Sequence, residues 1–345
     1  MGKRARKTAL PAHANLITDV AGVLVGNADD GDLRSGVSAV VFEQPAIAAC
    51  CILGGAPAGV ATNSFEPDMV VEAVDALVLS GGSGFGLEAT MGVQAWLRQQ
   101  GRGFAIGDTR IPIVAGAICF DMINGGDKNW GRYSPYRELG FKAAESATKA
   151  PFVLGTSGGG FGATTVNLKG GLGSASAVTP SGYTVGALVV VNAIGAATMG
   201  DGPHFWAAGF EVGQEFGGLG FPKATTPNMT KLAWKGGPTF ATTIAIVATD
   251  AILTKPMAKR LAIAANDGFA RALRITHALF DGDTLFAAST GRVALKDPVN
   301  DQIEIGAVAA DVVARAIARG VYEAQPYPFG PSPVPTWKER FGGRG

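Results

Sequence analysis

Two adjacent threonines, Thr242 and Thr243, stand at the head of an apolar run, Ile244 to Val247. A threonine opening a strand is ordinarily structural, because its branched side chain suits a pleated surface. The surroundings here suggest chemistry. A long Gly- and Pro-rich stretch, 201–237, delivers the chain to Thr242, and a buried strand would then hold that residue fixed. An N-terminal nucleophile needs this arrangement. Cutting the bond between Ala241 and Thr242 would free an α-amine on the residue that carries the hydroxyl. Such an amine, with an unperturbed pKa of ~7.7–8.0, can take the hydroxyl proton at neutral pH. The chain has only three scattered histidines, His13, His204 and His277, which suits a mechanism without a histidine base.

The elements that must position this residue can be read around it. "ALVLSGGSGFGLEATMGVQAWLRQQG" is strand, glycine loop and helix. "GVSAVVFEQ" and "AIAACCILGG" read as two strands separated by a polar turn, and "FGATTVNL", "GSASAV" and "YTVGALVVVNAIG" as further strands. "TKPMAKRLAIAANDGFARAL" reads as one helix with Thr254 as N-cap and Pro256 in its first turn, and "NDQIEIGAVAADVVARAIARGVYEA" as the last helix. Strands come in runs with helices between the groups. That favours an α+β fold of stacked layers over a doubly wound sheet.

Of 345 residues, 47% are hydrophobic and 17% charged, with 29 Lys and Arg against 28 Asp and Glu. A net charge of +1 argues against a nucleic-acid partner. No run of 18 apolar residues marks a membrane span, and no apolar segment follows the basic "MGKRARK" as in a signal peptide. A cytoplasmic protein is expected. Cys50, Cys51 and Cys119 have no metal-ligand spacing and read as core thiols; neither metal nor organic cofactor is expected. Glycine is the outlier, 50 residues, against a usual share of ~7%. Residues 1–15 read as a disordered basic tail, and the Pro-rich "PYPFGPSPVPTWKERFGGRG" as a tail lying over a neighbour or disordered.

The ordered set "ITDVAGVLVGN", "LSGGSGFGLEA", "GATTVNLKGGLGSAS", "VVVNAIG", "TTIAIVATDA" and "DGDTLFAAST" resembles the L-aminopeptidase/D-esterase and nylon-oligomer hydrolase family, over most of the chain. These are self-cleaving N-terminal-nucleophile hydrolases, and the resemblance implies a four-layer αββα sandwich. It also implies one catalytic domain in two parts, 16–241 and 242–345, and a homo-oligomer of four or more copies. Residue by residue, Thr242 matches the nucleophile, Asn192 the amide that stabilises the oxyanion, and Lys169 a site lysine. Asp281 and Asp283 match the acidic pair of the nylon-hydrolase branch. Substrates would be amino-terminated peptides or ω-amino-acid oligomers, with Phe120, Gly82, Ser83 and Trp130 as candidate pocket residues; Phe205 and Trp206 are further candidate wall aromatics. There are two departures. Ala241 precedes the scissile bond where the family tends to have Asn or Gly, types that tolerate unusual backbone angles. Phe120 stands where relatives can carry a tyrosine.

Three other readings compete. "GAATMGDG" around Thr198 is similar to the junction of an acyltransferase of related fold, but the residues after Thr198 cannot open a strand. "GGSGFG" between strand and helix is similar to a dinucleotide loop without its full glycine register. A relative that has lost self-processing and activity would explain Ala241.

Overall fold

In the computed structural model, residues 9–224, 226–236 and 240–342 are described. Their strands are β1 (Val23–Asp30), β2 (Ser35–Ile52), β3 (Gly59–Val60), β4 (Ala73–Ser80), β5 (Phe104–Ile106), β6 (Thr109–Ile111), β7 (Val114–Ile118), β8 (Gly171–Val178), β9 (Thr184–Asn192), β10 (Thr242–Ala251) and β11 (Thr284–Val293). The α-helices are α1 (Glu88–Gln99), α2 (Tyr136–Glu145), α3 (Lys255–Ala265), α4 (Asp267–Ala272), α5 (Pro298–Tyr322) and α6 (Trp337–Phe341). Apart from the small β5–β6 hairpin, the strands join in the order β3-β7-β4-β2-β11-β10-β9-β8, with β1 also on β2.

The expected pair of strands in 36–55 is one strand, β2, that serves two sheets. Its first part pairs with β1 and β4. The register with β4 slips between Val41 and Ala46, where Glu43, Gln44 and Pro45 are exposed; Ala46 and Ile47 then resume pairing with β4, and residues 47–52 pair with β11. The polar "EQP" is a kink between sheets instead of a reversal. Proline has no N–H for the ladder, so it is tolerated where pairing lapses.

Side-chain alternation sorts three cores. Ile244, Ile246 and Ala248 of β10 pack with Leu77 and Leu79 of β4 and Phe42 of β2 between the two sheets. Ala245 and Val247 of the same strand face α3, α4 and α5 on the far side. Val37, Ala39 and Val41 of β2 face α1 and α2. Helix, sheet, sheet and helix therefore stack as four layers, the αββα sandwich that the resemblance implied. Because β10 is covered on both faces, its sequence reads as an unbroken apolar run.

Several local expectations change. "FGATTVNL" is turns and isolated bridges, not a strand. The helix expected over 254–273 keeps its Thr254 cap but breaks at Asn266 into α3 and α4. Residues 1–8, most of the expected N-terminal tail, lie outside the described residues. The rest of that tail is anchored: Leu10 pairs with Val178, and Asn15 bonds Glu215, Ser176 and Arg315. The Pro-rich C-terminal segment packs on its own chain. Pro335 accepts the Lys169 N–H at 2.8 Å, Phe329 and Pro331 accept from Arg34, and Trp337 is buried in the outer core.

Candidate active site

Thr242 is the first residue of β10 and is 3% exposed. By alternation it shares the face of Ile244 and Ile246, so its hydroxyl lies at the end of the inter-sheet layer. Asn192, the last residue of β9, is its antiparallel partner, on the face of Leu188 and Val190. The Asn192 amide reaches across the layer: Nδ2 donates to the Phe120 carbonyl at 2.8 Å, just after β7. Its Oδ1 accepts the Thr164 N–H at 3.0 Å, so both ends of the amide are oriented.

The bond before Thr242 has a defined setting. Thr242 Oγ1 donates to the Ala241 carbonyl oxygen at 2.5 Å, and the Gly282 N–H donates to the same oxygen at 2.9 Å. A backbone N–H on that oxygen stabilises negative charge developing there. Ala241 forms a parallel bridge with Asp281 and is not among the residues with positive φ. The backbone strain that would favour Asn or Gly at this position is absent.

The acidic pair divides its work. Asp283 is fully buried. Its Oδ1 accepts the Thr243 N–H at 2.8 Å, and its Oδ2 meets the His277 N–H at 2.9 Å and the His277 Nδ1 at 2.8 Å. It ties the head of β10 to the 277–283 loop. Asp281 is 1% exposed, and its Oδ1 has no hydrogen-bond partner among the described residues. Burial, and next the charge of Asp283, push its carboxyl up to about 9. A carboxyl raised in this way is neutral in the folded chain at pH 7, whereas the unfolded chain ionises near ~3.9. Folding stability is therefore full below the unfolded value and falls as pH rises through the folded one. In an uncut Thr242→Ala background, melting temperature should drop between pH 5 and pH 9, and Asp281→Asn should flatten that slope; differential scanning calorimetry across pH checks it.

Gly282, between the two acids, was not singled out by sequence. A Cβ there would lie 2.5 Å from Thr242 Oγ1 and 3.0 Å from its Cγ2. Overpacking of this kind costs about 1–3 kcal/mol and here falls on the hydroxyl itself. Gly282→Ala should slow any reaction of Thr242 at least about tenfold while near-UV circular dichroism stays native-like. Lys235 was also missed; its only cue was an isolated cation in "LAWKGG". Its Nζ donates to Thr164 O at 2.9 Å and to Asn192 Oδ1 at 3.1 Å. Burial pushes this ammonium down to about 8.

The other residues fall elsewhere. Lys169 is fully buried, donating to Phe161 O at 2.7 Å over the Tyr327 ring, and burial pushes it down to about 7. Neither contact involves Thr242. Phe120, with Asp121, Asn192, Lys235, Phe240 and Val334, lines a cavity of about 260 Å³. Gly82 and Ser83 do not line it: the Gly82 N–H is held by Asp121 at 2.7 Å and the Ser83 N–H by Cys119 O at 2.9 Å. The Gly82 donor of a would-be phosphate loop is thus already taken. Trp130 packs edge-on against Phe85 and Tyr136. Phe205 lies in the outer core, and Trp206 lines a separate cavity with Thr198, which opens no strand. Among the described residues, no three His, Cys, Asp or Glu side chains gather as a metal site, and no helix is long and apolar enough to cross a membrane.

The αββα sandwich with a hydroxyl opening an inner strand has the architecture of the Ntn-hydrolase fold. Known proteins agree. The model of peptidase family S58 matches residues 15–330, and the chain belongs to that family. An uncharacterized aminopeptidase of Mycobacterium bovis is 38% identical over 350 positions, covering 95% of this chain and 98% of its own length. A beta-peptidyl aminopeptidase of Sphingosinicella microcystinivorans is 30% identical over 297 positions, covering 78% and 70%. Among solved structures, a Burkholderia beta-aminopeptidase superposes with a TM-score of 0.71 at 21% identity, covering 99% of this chain and 97% of its own. The L-aminopeptidase D-Ala-esterase/amidase of Ochrobactrum anthropi, described as a variant of the Ntn-hydrolase fold, superposes with 0.68 at 23%, covering 92% and 89%.

Proposed function

We propose that this chain cuts itself between Ala241 and Thr242 and then works as an aminopeptidase with Thr242 as nucleophile. The observation that carries the reading is the Ala241 carbonyl oxygen, held by the Gly282 N–H at 2.9 Å and touched by the Thr242 hydroxyl at 2.5 Å. In the first step Thr242 Oγ bonds to the Ala241 carbonyl carbon. The oxyanion rests on the Gly282 N–H, the hydroxyl proton passes to the amide nitrogen, and the C–N bond breaks to leave an ester and a free α-amine. Water then hydrolyses the ester. In turnover the same hydroxyl attacks the substrate amide, the α-amine takes its proton and passes it to the leaving amine, and water releases the acyl group. Asn192 uses one amide hydrogen on Phe120 and has a second for the oxyanion. Lys169 acts at a distance in this scheme.

Substrates are short, amino-terminated amides. The names of the relatives point to aminopeptidase chemistry, and a cavity of about 260 Å³ suits one residue better than a long chain. Amides of ω-amino acids, such as 6-aminohexanoate oligomers, are the second class; the Phe120 and Phe240 rings, 5.8 Å apart, would face their methylenes. We further propose a homo-oligomer of four or more copies, to be weighed by light scattering. Intact mass after incubation should show fragments of roughly 25 and 10 kDa from proportional length, with Thr242 as the new N-terminus. The processed protein should then hydrolyse amino-acid p-nitroanilides, β-alanyl dipeptides or 6-aminohexanoate oligomers. A cut elsewhere, or no hydrolysis across that panel, would count against the reading.

A further inference from the structure

We propose that the Thr164 carbonyl and Asn192 Oδ1 form the subsite for the substrate's terminal ammonium, and that in the uncut chain the Lys235 side chain fills it. The proposal rests on the aminopeptidase reading and adds where the amine binds and what occupies its place beforehand.

Among the described residues, Lys235 Nζ makes two hydrogen bonds, to Thr164 O at 2.9 Å and Asn192 Oδ1 at 3.1 Å. Both acceptors are neutral oxygens whose orientation does not depend on the lysine. Asn192 Oδ1 already accepts the Thr164 N–H, and its Nδ2 is turned to Phe120 O. If Lys235 left, the Thr164 carbonyl would lose its donor and Asn192 Oδ1 would keep only the Thr164 N–H, so the cavity wall would present two aligned oxygens open to a new donor. The Asp121 carboxyl also lines this cavity. An ammonium on an apolar stem, lying beside Phe120 and Phe240, is the chemical image of an amino-terminated substrate.

Lys235 also lies on the segment that the proposed cut would release, upstream of Ala241. Its backbone N–H bonds Ile194 O at 3.0 Å, while its neighbours Leu232 and Trp234 and the later Phe240 are exposed. Lys235 anchors this stretch in the cavity through three hydrogen bonds, beside the packing of Phe240 on Phe120 and Phe280. Cleavage after Ala241 gives the stretch a free end, and a substrate amine can then displace the lysine. Asn192 is the cross-strand partner of Thr242, and such partners have Cα atoms ~4.5–5.5 Å apart. An amine seated there places the amide of the first residue, not a later one, over the hydroxyl, so the enzyme removes residues one at a time.

The test uses the full-length chain kept uncut by Thr242→Ala, so that no bond cleavage enters the measurement. β-Alaninamide and its N-acetylated form are titrated by calorimetry and by ligand-observed NMR into Thr242→Ala and into Thr242→Ala with Lys235→Ala. Lys235→Ser serves as the second variant should the first fail to fold. Removing the lysine should tighten binding of the free amine at least tenfold and leave the acetylated form unbound. Equal binding with and without Lys235, or equal binding of the two probes, would overturn the subsite. A chain that neither processes nor hydrolyses would sink the proposed function while leaving this result to stand by itself.

Discussion

Thr242→Ala is expected to leave a single uncut chain that hydrolyses no amide, with turnover at least about 10³-fold below that of the processed protein. Two steps share the one hydroxyl. Without it the Ala241 carbonyl has no attacking group, so the α-amine never forms, and the substrate carbonyl has none either. Thr242→Ser keeps both the hydroxyl and the future amine and should retain both reactions. Denaturing gels, intact mass and product analysis on the best substrate measure all of this in one preparation. The fold should survive the change. Thr242 sits at a strand end, its hydroxyl bonds only its own preceding carbonyl among the described residues, and the Asp283 tie is to Thr243, not to Thr242. A correctly folded Thr242→Ala protein that still turned over substrate would remove the threonine from the mechanism.

Asp283→Ala is expected to be the most damaging change to stability in the site. It withdraws the acceptor from the Thr243 N–H, the His277 N–H and the His277 Nδ1 together. Buried donors left without partners cost about 1–3 kcal/mol each, and a broken network of this kind totals about 3–5 kcal/mol. The melting temperature should fall by several degrees or more. Self-cleavage should stop as well, because Asp283 holds the head of β10 against the loop that carries the Gly282 N–H. Asp283→Asn keeps one acceptor but presents donors to donors at the other position, so it should fall between the wild type and alanine. Calorimetry and a processing time course separate the two effects: a variant that lost processing with an unchanged melting temperature would mean Asp283 acts on the chemistry and not through position.

That the fold is α+β with stacked layers was legible because strands come in runs, marked by alternation and glycine-rich breaks, with helices between the groups; the αββα order came from the family resemblance. The two strands expected in 36–55 became one because a polar, proline-containing break looks the same whether the chain reverses or kinks between sheets. "FGATTVNL" has strand-forming residues but no neighbouring strand to pair with, so it became turns with isolated bridges. In the site, Thr242, Asn192, Asp281 and Asp283 were legible through ordered motifs at strand ends, and the structure brings them to one end of the inter-sheet layer. Lys235 and Gly282 were not. A lone lysine in a loop and the middle residue of a turn acquire meaning only from what stands opposite them. For Lys235 that is Thr164 and Asn192; for Gly282 it is the methyl and hydroxyl of Thr242.

The amino-acid sequence by itself determined that the chain has an α+β core of stacked layers with a hydroxyl at the head of a buried strand, since burial pattern and turn chemistry are local properties. Tertiary structure alone decided which groups meet that hydroxyl. β9 and β11 flank β10, and that pairing brings Asn192 to one side of Thr242 and the 281–283 loop to the other. It also decided that Lys169 is buried against Phe161 and Tyr327 while Lys235 reaches Asn192, and that the C-terminal segment returns to wall the cavity with Val334. The reason is physical. Hydrogen bonds and buried charges depend on partners far away in sequence, and a one-dimensional pattern records a residue's preference for burial but not the identity of what buries it.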